Sequence, residues 1–191
     1  MKVSKEKAIE NRELVLDTAA RLFRQVGFDG VGVADIMKHA GLTVGGFYNN
    51  FDSKEDLIAK ACDKIGSQSL KRWQSHIDNP EIADPLKRIG SSYLSAKNRD
   101  DLSSTCLFST LGAEVPRHDA AVQQVFAQGV ASTIQLLSTL VDGQTEDERR
   151  SHAIAMFSQW LGALVLSRAA SNSPLSDEIL AVARKASHVE E

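Results

Sequence analysis

Apolar residues recur along the chain at the three- and four-residue intervals of helices facing a core, and no stretch alternates in the manner of a β-strand. From about Ile9 to Val26 the apolar positions are Val15, Leu16, Ala19, Ala20, Leu22, Phe23 and Val26. Gly27 ends that helix, and Phe28 folds back as the apolar contact beyond a glycine cap. The stretch 33–54, VADIMKHAGLTVGGFYNNFDSK, predicts two short helices, Val33 to Ala40 and Val44 to Asn50. A tight turn through Gly41 to Thr43 joins them, which makes a helix-turn-helix. Gly41 falls where the chain must leave the first helix with positive φ. Thr43 is placed for its hydroxyl to cap the second. Ala40, Leu42 and Phe47 supply the apolar faces that hold the pair at a fixed angle.

A long helix is expected from Ser53 to about Ile77, on Leu57, Ile58, Ala61, Cys62, Ile65, Leu70 and Trp73, with Asn79-Pro80 stopping it. Further helices are expected from Pro85 through Leu94, from Ser103-Ser104 to near Gly112, and over about 119–141, 145–171 and 176–186. The fold class is therefore all-α: a three-helix unit over residues 1–52 and a helical bundle over 53–191, with the helix from Ser53 as the mechanical link. No Gly/Ser-rich linker separates the two.

Composition sharpens this little. The 191 residues are 42% hydrophobic with a formal net charge of −3. Residues 1–60 carry nine Lys and Arg against nine Asp and Glu. A nucleic-acid site on this unit must then be a local patch rather than a basic domain. Lys2, Lys5, Lys7 and Arg12 form a basic start that could reach a phosphate backbone, though such a start is more often a solvated terminus. No apolar run reaches membrane-spanning length and no signal peptide is evident, so a cytoplasmic location is expected. Two cysteines, Cys62 and Cys106, neither form a disulfide framework nor show metal-ligand spacing, and nothing calls for a cofactor. By its local pattern alone the helix-turn-helix is also a generic helical hairpin, since turn geometry does not specify a ligand.

Val15-Leu16, Ala19, Leu22-Phe23, Gly27-Phe28, Val33, Asp35-Ile36, Ala40-Gly41-Leu42, Gly45, Phe47-Tyr48, Phe51 and Ser53-Lys54-Glu55-Asp56-Leu57 together resemble the N-terminal domain of the TetR family of bacterial transcriptional regulators, over residues 12 to 60 without a gap. The resemblance implies a dimeric DNA-binding regulator, a repressor released from its operator by a small-molecule or electrophile/oxidant effector, and not an enzyme. Its partners would be double-stranded operator DNA, a second copy of the chain and that effector. Carried over position by position, it makes Tyr48 and Lys54 phosphate contacts. Thr43, Val44, Gly45 and Gly46 would lie against base edges, and Asn49 against a base or phosphate. Many relatives carry Ser-Lys where this chain has Thr43-Val44, which loses a cation. Val31-Gly32 stands where Thr or Ser often caps the second helix.

The resemblance also gives the bundle its expected uses. The last two helices are the expected dimer interface, with Trp160, Gly162, Leu164, Ile179 and Val182 as contacts. The middle helices are expected to enclose an effector pocket lined by Trp73, Tyr93, Phe108, Phe126, Phe157 and His152, each of which is also a plausible plain core residue. Cys106 is a candidate sensor, at an expected helix start with Arg99, Arg117 or His118 to assist a thiolate; against that, a buried cysteine is most often a small hydrophobe. Two other readings stand beside this one: an interaction module whose helix-turn-helix does not bind DNA, and an enzyme using a Cys106–His118 pair.

Overall fold

The computed structural model describes residues 5–189, so Lys2 of the basic start lies outside the described residues. Nine α-helices follow one another among them: α1 (Lys5–Val26), α2 (Val33–His39), α3 (Lys54–Ile77), α4 (Pro85–Tyr93), α5 (Ala96–Asp100), α6 (Leu107–Leu111), α7 (Ala120–Ser138), α8 (Glu146–Ala169) and α9 (Leu175–Ala186). No strand occurs among the described residues. Five of the helices start at a short polar side chain that accepts a backbone N–H three residues on. Ser53 accepts from Asp56, Asp84 from Lys87 and Asp119 from Val122, and Thr145 forms a full capping box with Glu148. Gly27 and Gly41 leave α1 and α2 at φ +81° and +68°, as their positions in the sequence require.

Three local expectations fail for identifiable reasons. The second helix of the helix-turn-helix is a 3₁₀ helix over Val44–Asn49 rather than an α-helix to Asn50. Six residues containing Gly45-Gly46 are too short and too glycine-rich to propagate an α-turn, so i→i+3 bonds such as Asn50 N–H to Phe47 O close it instead. Thr43 stands at its N-cap without any side-chain cap bond. The helix expected from Ser103-Ser104 begins only at Leu107. The Asp101 carboxylate takes the Ser103 and Ser104 hydroxyls at 2.5 and 2.6 Å, which turns the chain locally instead of starting a helix. In compensation the five-residue α5, capped by Ser95, was invisible because it has no apolar period.

Two apolar cores meet at α3, α6 and α7. The first joins α1, α2, Phe47, Phe51 and the N-terminal half of α3 to Leu107, Leu111, Val122 and Phe126. The second gathers Ile89, Tyr93, Leu94, Leu137, Phe157, Trp160, Leu164 and Leu180 between α4, α7, α8 and α9. Phe108 packs against both. The α3 helix runs along α7 and, at its start, against α1, while α8 packs on α7 and α9. Polar contacts fasten the same junction. Glu114 accepts the Phe28 N–H at 2.7 Å, Arg24 donates to the Ser103 carbonyl at 2.8 Å, and His118 Nδ1 lies 3.0 Å from Glu55. Lys64 of α3 pairs with both Glu13 and Asp17 of α1 at 2.8 and 2.7 Å. Together these contacts hold α1 to the start of α3 and to the 101–118 segment.

Candidate functional site

The short helix 44–49 is amphipathic in the strictest sense its length allows. Phe47 is fully buried, stacked on Phe51 at 5.4 Å, while Tyr48 on its other side is 69% exposed. Thr43, Val44, Gly45 and Asn49 are exposed with Tyr48, and Gly46 is half-buried. One stripe of the helix is therefore anchored and the other is presented to solvent with no protein covering it. Asn50 is turned inward, its Nδ2 donating to the Gly46 carbonyl at 3.0 Å, which leaves Asn49 as the free amide of the pair. Lys54 stands at the first position of α3, with its Nζ 4.0 Å from Asp29. At that helix start the Lys54 and Glu55 N–H groups have no intrahelical acceptor, so a positive dipole end lies beside the Lys54 ammonium. Tyr48, Lys54 and the open face of the 44–49 helix thus all fall within residues 43–54.

A second site lies in the bundle. A cavity of about 270 Å³ opens between α3, α4, the 95–108 segment and α8, walled by Trp73, Tyr93, Cys106, Phe108 and Phe157 among others. Four of the six expected pocket residues and the candidate sensor Cys106 are thus brought together. Trp73, Tyr93, Phe108 and Phe157 form edge-on aromatic contacts at 5.9–6.4 Å. Phe126 does not line the cavity. It sits behind Phe108, at 5.8 Å, in the first core. His152 is exposed near the start of α8, its ring nitrogen 2.7 Å from the Asp142 carbonyl oxygen, and is no part of the wall. The residues missed from sequence are the polar ones, Ser69, Arg72, Lys97, Asn98 and Thr133. Their signal was weak because a polar residue on a helix ordinarily faces solvent.

Cys106 stands at the N-cap position of α6 without a side-chain cap bond and forms part of the cavity wall, half-buried. The helpers expected for it lie elsewhere. Arg99 is held by Asp100 and Asp177, Arg117 donates to the Ala113 carbonyl, and His118 is engaged by Glu55 and packed edge-on against Phe28 at 4.8 Å. The Cys106–His118 pair is therefore not assembled. Cys62, by contrast, is fully buried on α3, and burial pushes its thiol far above the usual thiol range. Iodoacetamide at neutral pH should therefore alkylate Cys106 in the folded chain and reach Cys62 only after unfolding, as peptide mass spectrometry would report.

The expected dimer contacts need correction. Trp160 and Leu164 are both at 0% exposure inside the second core, so neither offers surface to a partner. Ile179 packs partly against the same core. Gly162 stays open, with nothing within 4 Å of where a Cβ would stand, and Val182 is 60% exposed. The apolar residues that α8 and α9 expose are Ile154, Val165, Leu166, Leu175 and Val182. Ile154, Gly162 and Val165 lie on one stripe of α8, and Leu175 and Val182 on one stripe of α9. The α8 helix is apolar on two faces, and the larger residues, Trp160 first, are the ones the monomer core takes.

Among the described residues no helix is long and apolar enough to cross a membrane, and no group of His, Cys, Asp or Glu is arranged to hold a metal ion.

Residues 15–61 match the model of the bacterial regulatory proteins of the tetR family. The chain is 27% identical over 164 residues to the HTH-type transcriptional repressor NemR of Escherichia coli strain K12, covering 81% of this chain and 82% of that protein. It is 29% identical over 91 residues to the HTH-type transcriptional regulator YerO of Bacillus subtilis, a match that spans 48% of this chain and under a third, 31%, of that protein. The crystal structure of reduced E. coli NemR superposes with a TM-score of 0.76 at 24% identity, covering 92% of this chain and 96% of that one.

Proposed function

Because the chain belongs to the tetR family of bacterial regulatory proteins, we propose that it is a homodimeric repressor that leaves its operator when the bundle cavity is occupied or its thiol modified. In this reading residues 1–52 serve DNA, and 53–191 serve the effector and the dimer. The observation that carries it is the 44–49 helix, buried on Phe47 and bare on Thr43, Val44, Tyr48 and Asn49. A major groove accepts such a helix, with the side chains at its start nearest base edges. Thr43 can hydrogen-bond a base and Val44 can touch a thymine methyl, while Gly45 and Gly46 let the backbone come close. Tyr48 and Lys54 would position the unit on phosphates, without reading sequence.

Two such helices must reach half-sites about 34–36 Å apart, which requires a second copy. The exposed stripes of α8 and α9 supply the area, and two helices from each copy would make a four-helix interface. An effector in the cavity touches α3 at Trp73, and α3 begins beside the DNA-facing unit at Lys54. Release then follows if the effector binds better to a state in which the two helices are wrongly spaced. Cys106 offers a second trigger on the same wall, since the E. coli relative has a reduced form distinguished in its crystal structure.

Binding of the purified protein to DNA from beside its own gene tests this, with and without hydrogen peroxide, in wild type, Lys54→Ala and Cys106→Ser. Lys54→Ala is expected to weaken binding at every sequence and to lower the salt slope by about one. Peroxide that abolishes binding only where Cys106 is present identifies a thiol switch. Peroxide without effect in either protein assigns release to non-covalent ligands. Absence of binding to any DNA at low salt removes the regulator reading and leaves a helical interaction module.

A further inference from the structure

The cavity's lining is chemically lopsided. It contains the cations Arg72 and Lys97 and no carboxylate. Both are exposed, neither is in an ion pair among the described residues, and the only hydrogen bond from Arg72 goes to Ser69 at 3.3 Å. Asp101, which acts on Arg24, is already held by the Ser103 and Ser104 hydroxyls, and Asp100 is paired with Arg99. Arg24 and Arg88 add to the positive potential around Arg72 and His76. The body of the cavity is aromatic and apolar, from Trp73, Phe108 and Phe157.

One wall residue carries an unsatisfied group. Tyr93 is 5% exposed, lines the cavity, and its buried hydroxyl has no hydrogen-bond partner of proper geometry. The Cys106 thiol on the same wall interacts with it, but is a weak partner. Burial, with the Cys106 thiol adding to it, pushes the Tyr93 phenol well above its usual range, so it stays an O–H donor at all physiological pH. Native interiors leave few such groups unpaired, and an orphaned donor in a cavity wall points to an acceptor supplied from outside.

We propose that this cavity takes a small amphipathic organic anion, whose carboxylate-type group lies with Arg72 and Lys97, whose one- or two-ring body lies against Trp73, Phe108 and Phe157, and whose far end accepts a hydrogen bond from Tyr93. Size supports a small body: about 270 Å³ falls just under the ~300–1,000 Å³ usual for drug-sized ligands. The cations select charge and the tyrosine selects an oxygen at the opposite end, so the two ends discriminate independently. The inference rests on reading this cavity as the effector site.

Titration calorimetry with 6-methoxy-2-naphthoate tests it, against the uncharged 6-methoxy-2-naphthamide and against 2-naphthoate, which lacks the distal oxygen. The acid is expected to bind about tenfold tighter than the amide at low salt, the scale of two solvent-screened ion pairs. That preference should vanish in Arg72→Gln/Lys97→Gln and shrink with added salt. Both substitutions are on the surface and leave the cores intact. Tyr93→Phe should erase the preference for the methoxy compound while keeping the preference for charge. Equal binding of acid and amide, or no binding of the acid up to about 1 mM, a limit of roughly −4 kcal/mol, overturns the proposal. A methoxy preference that survives Tyr93→Phe overturns it as well, by removing the Tyr93 contact. Operator binding by the ligand-free protein, measured on the same sample, tells failure here from failure of the regulator reading.

Discussion

Phe47→Ala should cost the protein about 3–5 kcal/mol and abolish operator binding, the first by urea denaturation and the second by fluorescence anisotropy. Phe47 is the one fully buried residue of the 44–49 helix, and its ring stacks on Phe51 at 5.4 Å and meets Tyr48 edge-on at 5.1 Å. Six residues in a 3₁₀ helix have almost no stability of their own. Their position depends on this ring in the core it shares with Ile36, Met37 and Ala40. Removing it therefore releases Thr43, Val44, Tyr48 and Asn49 together, although none of them is changed. Phe47→Leu keeps most of the apolar contact and should retain measurable binding. Full affinity in Phe47→Ala would mean that the helix is not held by its ring and that the DNA face lies elsewhere.

The same contrast between anchored and bare positions explains what the sequence revealed. Helix-scale periodicity exposes α1, α3, α7, α8 and α9 because each buries a stripe several turns long. Gly27 and Gly41 are legible because their positive φ is a requirement that few other residues meet. Phe28 and Phe47 follow from those two turns. The 101–106 segment was not legible: whether Ser103 and Ser104 cap a helix or bond Asp101 is decided by a tertiary partner, the Arg24 side chain on the Ser103 carbonyl. Nor was the fate of α8. Both of its faces are apolar, and periodicity cannot say which of Trp160 and Leu166 faces the core. The pocket was half legible. Its aromatic residues stand out in any sequence, whereas Arg72 and Lys97 are ordinary helix-surface cations until the fold places both in the lining of one cavity.

Arg168 carries the second large effect, and its position makes a stability measurement informative about the cavity. Its guanidinium is half-buried beneath the 98–109 segment, and burial pulls its pKa down. Arginine nonetheless stays charged in proteins. No carboxylate pairs with it among the described residues. It donates instead to the Asn98 carbonyl at 2.9 Å, the Arg99 carbonyl at 3.1 Å, the Ser109 hydroxyl at 2.8 Å and the Thr105 hydroxyl. This fork ties α8 to both sides of the loop that carries Cys106. Replacing a buried ion pair with apolar groups is often tolerated, since both charges leave together. Arg168→Leu is a different case: the donor leaves and the buried acceptors stay. At about 1–3 kcal/mol for each acceptor left dry, and with some reached by water, the expected loss is about 3 kcal/mol. For a chain of this size that lowers the melting temperature by roughly 6–12 °C. Arg168→Lys restores the charge but not the fork, so it should recover only part of the difference. Since the Arg168 guanidinium bonds only the 98–109 segment and Arg168 is not among the exposed apolar residues of the α8 dimer stripe, operator affinity well below the melting temperature should be unchanged, while occupancy of the cavity by any probe should fall sharply. A variant that lost operator binding and stability in parallel would show instead that this loop and the DNA face fold as one unit.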